Sequence, residues 1–110
     1  WKLTPAYLSY TLSKSALWTL TQTLAQSLAP HIRVNAVGPG PTLANVHQQA
    51  GVFEEEARAI PLGPVVSPAA VTDAVLYLMR AAAVTGQMIA VDGGQHLGWQ
   101  TPDAVLEMTR

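Results

Sequence analysis

At 110 residues, with 49% apolar and only 12% charged side chains and a formal net charge of −1, the chain carries no electrostatic footprint for nucleic acid or for an anionic membrane surface. Polar residues interrupt every apolar stretch short of the ~20 residues that span a bilayer, and the lack of cysteine excludes a disulfide framework and thiolate chemistry and fits a reducing cytoplasm. The charged share is about half the usual figure of roughly 25%, so the chain reads as part of a larger core, and because it begins at Trp1 with no signal-peptide pattern, a further stretch upstream is expected.

In chain order, the first predicted element is a helix from about Ser9 to Ala29. It is built from strong helix formers without Gly or Pro, and Leu17, Leu20, Leu24 and Leu28 form an apolar stripe at helical spacing. Leu12, Ala16, Trp18 and Ala25 widen that stripe, which predicts burial on more than one side. Pro30 stops the helix. Ile32 to Val37 then reads as a short β-branched strand ended by Gly38-Pro39-Gly40-Pro41.

The stretch from Thr42 to Ser67 reads as a long loop with one short helical candidate around Glu54 to Ala59, and loops of that length are usually functional. Ser67-Pro68 opens a second helix with a cap residue followed by proline at its first position, and Val71, Val75, Leu78 and Met79 are the predicted buried face. Thr85-Gly86 is a turn, Met88 to Val91 the second strand, and Asp92-Gly93-Gly94 a tight turn with glycines at positive φ. Gln95 to Arg110 is a tail without an assigned element.

Helix, strand, long connection, helix, strand is the rhythm of an α/β fold with a parallel sheet. Two parallel strands do not stand alone, because such sheets are covered on both faces and need neighbours. The expected fold is therefore the C-terminal part of a doubly wound, Rossmann-type parallel sheet, with residues 1–110 forming one partial domain.

Tyr10 and Lys14 carry the chemistry. Four residues apart on a predicted helix, they lie on the same face one turn apart, where a positive charge favours the phenolate and suits the phenol to general acid/base work. A Tyr-x-x-x-Lys spacing alone is a weak signal; here it stands in Ser9-Tyr10-Thr11-Leu12-Ser13-Lys14-Ser15-Ala16-Leu17, inside an apolar helix.

The ordered series resembles the short-chain dehydrogenase/reductases over nearly the whole chain. Tyr10, Ser13, Lys14, Ala16 and Leu17 match the family's Tyr-x-x-Ser-Lys-x-Ala-Leu core, and Arg33-Val34-Asn35-Ala36-Val37-Gly38-Pro39-Gly40 is similar to its sixth strand and Pro-Gly loop. Ile60-Pro61-Leu62-Gly63, Thr85-Gly86-Gln87 and Val91-Asp92-Gly93-Gly94 resemble its substrate-loop exit, the approach to its last strand and the turn that follows. The resemblance implies that Tyr10 is the catalytic acid/base, that Lys14 lowers its pKa and binds the nicotinamide ribose, and that Pro39 and Gly40 bring backbone close to the nicotinamide. It also implies that Thr42 bonds the carboxamide or a phosphate, although the family's commonest threonine position falls at Ala44. The Gly38-Pro39-Gly40-Pro41 spelling looks more like pteridine-reductase-like members than 3-oxoacyl-carrier-protein reductases; NADP(H) is expected over NAD(H), although the residues that discriminate the two would lie upstream.

The implied activity is hydride transfer between NAD(P)H and a carbonyl or C=N group of a small molecule, in a cytoplasmic homodimer or homotetramer that binds neither nucleic acid nor membrane. The family's Gly-rich Thr-Gly-x-x-x-Gly-x-Gly loop and its carbonyl-polarising serine do not occur in these residues. A chain without them is expected to be nearly inert alone, and the alternative is a non-catalytic, truncated or degenerate member acting as an assembly or binding partner. His31, His47 and His96 lack metal-ligand spacing and read as satisfied surface or loop histidines. Glu54, Glu55 and Glu56 read as a solvated helix start, Trp18 as packing and Asp92 as a turn device; the resemblance implies that a tail such as that with His96 and Trp99 can approach the substrate pocket or a neighbouring subunit, structural filler being the favoured reading for both.

Overall fold

The computed structural model describes residues 7–40, 42, 51, 58–63, 66–98, 104 and 108. Among them are helix α1 (Leu8–Leu28), strand β1 (Ala36–Pro39), helix α2 (Pro68–Arg80), strand β2 (Met88–Val91) and a short 3-10 helix (Gln95–Leu97). The strands pair in parallel, with Ala36 opposite Met88 and Pro39 opposite Val91. The expected parallel α/β arrangement is what the chain adopts.

Helix α1 begins without a side-chain cap at Tyr7 and ends at Leu28, with Ala29 extended and Pro30 following through a cis bond. Its small hydroxyls bond within the helix: Thr21 Oγ1 donates to the Leu17 carbonyl (2.8 Å), Thr23 Oγ1 to Thr19 (2.9 Å) and Ser27 Oγ to Thr23 (2.9 Å). Their polar groups therefore need no outside partner, so they can be covered at little cost. Burial on more than one side is nevertheless not found within this chain. Thr21 and Ala25 are buried, while Leu8, Leu12, Leu17, Leu20, Leu24 and Leu28 are exposed. The apolar width of the helix exceeds what a two-stranded sheet and one other helix can cover.

The first strand lies later than the β-branched run suggests, over Ala36–Pro39 instead of Ile32–Val37. Side chains hold the residues before it. Asn35 Nδ2 donates to the Val84 carbonyl (2.9 Å), its Oδ1 accepts from Gln87 N–H (3.0 Å), and Val34 N–H donates to Thr85 Oγ1 (3.1 Å). Pro39 can stay in the strand because alternate residues face β2: Ala36 N–H donates to Gln87 (2.8 Å) and Gly40 N–H to Val91 (3.0 Å). The missing N–H of Pro39 falls on the other edge, where proline breaks no ladder bond.

Ser67 caps α2 as expected, its Oγ accepting from Ala70 N–H (3.2 Å), with Pro68 at the first helical position. The predicted buried face is narrower than expected. Leu78 is buried and Val71 and Ala74 are partly covered, but Val75 and Met79 are exposed. The C-terminal end of α2 is tied down by Arg33, whose guanidinium donates to the carbonyls of Leu78 (2.7 Å), Met79 (2.9 Å) and Val84 (3.2 Å). The carbonyls of Leu78 and Met79, in the last turn, have no partner inside the helix, and a cation is the favoured donor there; Val84 lies in the connection beyond it. Of the helical candidate at Glu54–Ala59, Arg58 is helical and Ala59 is in a turn; its earlier residues, His47 and Trp99 lie outside the described residues.

Candidate active site

Tyr10 and Lys14 stand on the first turns of α1, where the helical spacing puts them on one face. Lys14 Nζ lies 5.5 Å from the centroid of the Tyr10 ring, over its face, within the range of a cation–π contact. Ser13 Oγ donates to the Tyr10 carbonyl (2.8 Å), which turns that hydroxyl back onto the helix. Tyr10 is 61% exposed.

Both residues line a cleft of about 540 Å³ between α1 and the sheet, together with Trp18, Thr21, Pro39 and Met88. Pro39 is the last residue of β1, so this part of the cleft opens at the carboxyl end of the strand, where open parallel sheets place their ligands. Trp18, half-buried, contributes an apolar wall. The structure thus brings Tyr10, Lys14 and Pro39 together.

Gly40 and Thr42 are not in that lining. A Cβ at Gly40 would stand 2.7 Å from Asp92 Cα and 2.9 Å from Asp92 Cβ, so its bare backbone is required by the neighbouring turn. Thr42 is half-buried. Asn35 has the structural role of joining the two strands' approaches.

Asp92 and His96 form a pair that the sequence reading did not connect. Asp92 is 8% exposed; its Oδ1 accepts from Gly94 N–H (2.9 Å), and its Oδ2 accepts from His96 N–H (3.0 Å) and lies 2.7 Å from His96 Nδ1. Burial pushes the Asp92 carboxyl up. The hydrogen bonds from the His96 ring and from the Gly94 and His96 backbones outweigh it, so the net position is below the usual carboxylate value. The signal was available as Asp-Gly-Gly-x-His, an acid and an imidazole four apart around a turn with two glycines. Among the described residues no cluster of three or more His, Cys, Asp or Glu could hold a metal ion, and no helix is long and apolar enough to cross a membrane.

A family model described as Enoyl-(Acyl carrier protein) reductase matches residues 2–96. The chain belongs to the short-chain dehydrogenase/reductase family. Carbonyl reductase family member 4 of Danio rerio is 44% identical over 90 residues, covering 80% of this chain and 37% of that protein. Dihydromonapterin reductase of Citrobacter koseri is 35% identical over 91 residues, covering 83% and 38%. The crystal structure of FolM Alternative dihydrofolate reductase 1 from Brucella suis in complex with NADP matches with a TM-score of 0.81 and 54% identity, over 86% of this chain and 38% of that one. Family membership with pteridine-reductase-like relatives agrees with the reading of the Gly-Pro-Gly-Pro loop. The chain spans a little over a third of the length of the relatives it matches.

Proposed function

We propose that this chain is the acid/base-bearing part of an NADP(H)-dependent reductase acting on a carbonyl or C=N bond of a small organic molecule, with a reduced pterin as the favoured substrate class. The observation that carries the reading is the single cleft lined by Tyr10, Lys14 and Pro39 at the carboxyl end of β1. The pterin preference is supported by the dihydromonapterin reductase and FolM relatives, and NADP(H) by the cofactor in the FolM complex.

The residues present fit a nicotinamide riboside on donor chemistry. An ammonium and a phenol, both able to donate to ribose hydroxyls, open on a cleft whose other lining includes Pro39, Met88 and Trp18. NADPH, held there by Lys14 and Tyr10, would supply hydride to the substrate carbon. Tyr10 Oη gives its proton to the carbonyl oxygen or imine nitrogen as the C=O or C=N bond is reduced, and takes a proton back in the reverse direction. Lys14 holds positive charge beside the phenolate that this transfer leaves. Because Tyr10 is exposed here, water screens that charge; an upstream half covering α1 would strengthen the interaction by excluding it. The same half would carry the phosphate-binding loop and the carbonyl-polarising serine, and Gly40 and Thr42 would bound the cofactor from the loop after β1.

We place the complete enzyme in the cytoplasm as a homodimer or homotetramer; the exposed apolar residues of α1 and α2 support association. The test is NADPH oxidation by the chain extended upstream through its reading frame, with a dihydropterin and with simple carbonyl compounds. Tyr10→Phe is expected to lower kcat by roughly 10²–10⁴-fold, the usual range for a general acid. A folded, extended form that binds neither NADPH nor NADH would replace this reading with that of a non-catalytic assembly partner.

A further inference from the structure

Asp92 follows the last residue of β2, and the chain meets the turn it opens in two other places. Gly40, leaving β1, donates its N–H to the Val91 carbonyl (3.0 Å) and approaches Asp92 so closely that a Cβ on residue 40 would collide with backbone. The chain returns to the same turn at Ile60, which is 3% exposed. A Cβ on Gly93 would stand 2.5 Å from Ile60 Cγ2, one on Gly94 would stand 3.3 Å from Pro61, and Leu62 N–H donates to the Gly93 carbonyl (3.0 Å).

This turn needs an internal restraint. Gly93 and Gly94 both sit at positive φ, 63° and 91°, and glycine has the widest choice of alternative conformations to lose. The Asp92 carboxylate supplies the restraint through three contacts, on Gly94 N–H, His96 N–H and His96 Nδ1. With the carboxylate ionised, Nδ1 carries the hydrogen and donates it, a charge-assisted bond stronger than a neutral one.

We infer that Asp92 and His96 are a positioning pair for the reductase: by clamping one turn they fix both Gly40, where the chain leaves the sheet, and Ile60–Gly63, where it returns, and so set the affinity for the organic substrate. The inference rests on the function proposed above. His96 acts through Asp92 and does not share in proton transfer.

The variants are His96→Ala, which removes the donor, and His96→Asn, whose side-chain amide can restore a donor near the Nδ1 position. In the extended enzyme, His96→Ala is expected to raise KM for the dihydropterin roughly tenfold, the scale of one charge-assisted hydrogen bond, with kcat within about twofold; His96→Asn should recover most of the loss. A lowered Tm with an unchanged substrate KM would overturn the inference, leaving a stability device. So would a fall in kcat at constant KM. Amide hydrogen exchange decides the clamp without any substrate: His96→Ala should speed exchange at both Gly40 and Leu62, and unchanged exchange at both overturns it. If the extended enzyme reduces none of the compounds tried, the proposed function fails while the exchange result still decides the clamp.

Discussion

Around the Asp92 turn the chain is complete in itself, whereas α1 is not. Asp92 has its partners in Gly94 and His96, Ile60 is buried, and Gly40 and Gly93 are so tightly apposed to neighbours that no side chain fits. Helix α1, the longest described element, buries only Thr21 and Ala25 and leaves six leucines exposed. The residues offered for chemistry, Tyr10 and Lys14, are on the incomplete side. The difference is between a formed scaffold at the carboxyl end of the sheet and an apolar helix left largely exposed.

That division can be strained from the complete side first. Gly93→Ala should be the most damaging of three changes there, because the new methyl meets Ile60 at 2.5 Å and residue 93 sits at φ 63°; a loss of about 2–4 kcal/mol is expected from overpacking and backbone strain together, read as a lowered denaturation midpoint in the extended protein. Arg33→Met should cost about 1–3 kcal/mol, since the carbonyls of Leu78, Met79 and Val84 lose a charged donor. Chemical denaturation of that variant would show it, and an unchanged midpoint would mean water replaces the guanidinium.

The smallest effect should come from acid titration. Asp92 is held below its ordinary value in the folded state, so the unfolded chain binds its proton more readily. The stabilisation is fully present above the ordinary carboxylate value and is lost as pH falls through the folded value. Thermal midpoints should therefore decline more steeply below about pH 4 in the wild type than in Asp92→Asn, and parallel curves would show that the carboxylate is not linked to folding.

Much of the scaffold was legible in the sequence because its signals are local. Ser67-Pro68 marks a helix start through one side-chain bond and one fixed φ, and Met88–Val91 with Asp92-Gly93-Gly94 marks a strand and its turn. The first strand lies later than its β-branched run because Ile32 and Val34 carry β propensity while Arg33, Asn35 and Thr85 decide the hydrogen bonding by reaching across the chain. Val75 and Met79 are exposed despite their place on the periodic apolar face, because helical periodicity gives a face and not the width of what lies against it. Tyr10 and Lys14 could be paired by spacing, and the motif series pointed to the family; the Asp92–His96 contact had a local signal in its four-residue spacing, whereas the approach of Gly40 to Asp92 depends on where two distant segments meet in space.

On the proposed reading, the face of α1 that carries Tyr10 and Lys14 would be completed by structure upstream, and cofactor binding tests this most directly. NADPH titration followed by fluorescence, on the 110-residue chain and on the chain extended through its reading frame, is expected to show saturable binding by the extended form alone. Tight, stoichiometric binding by the 110-residue chain itself would contradict the account, because it would mean that the cofactor site is already whole.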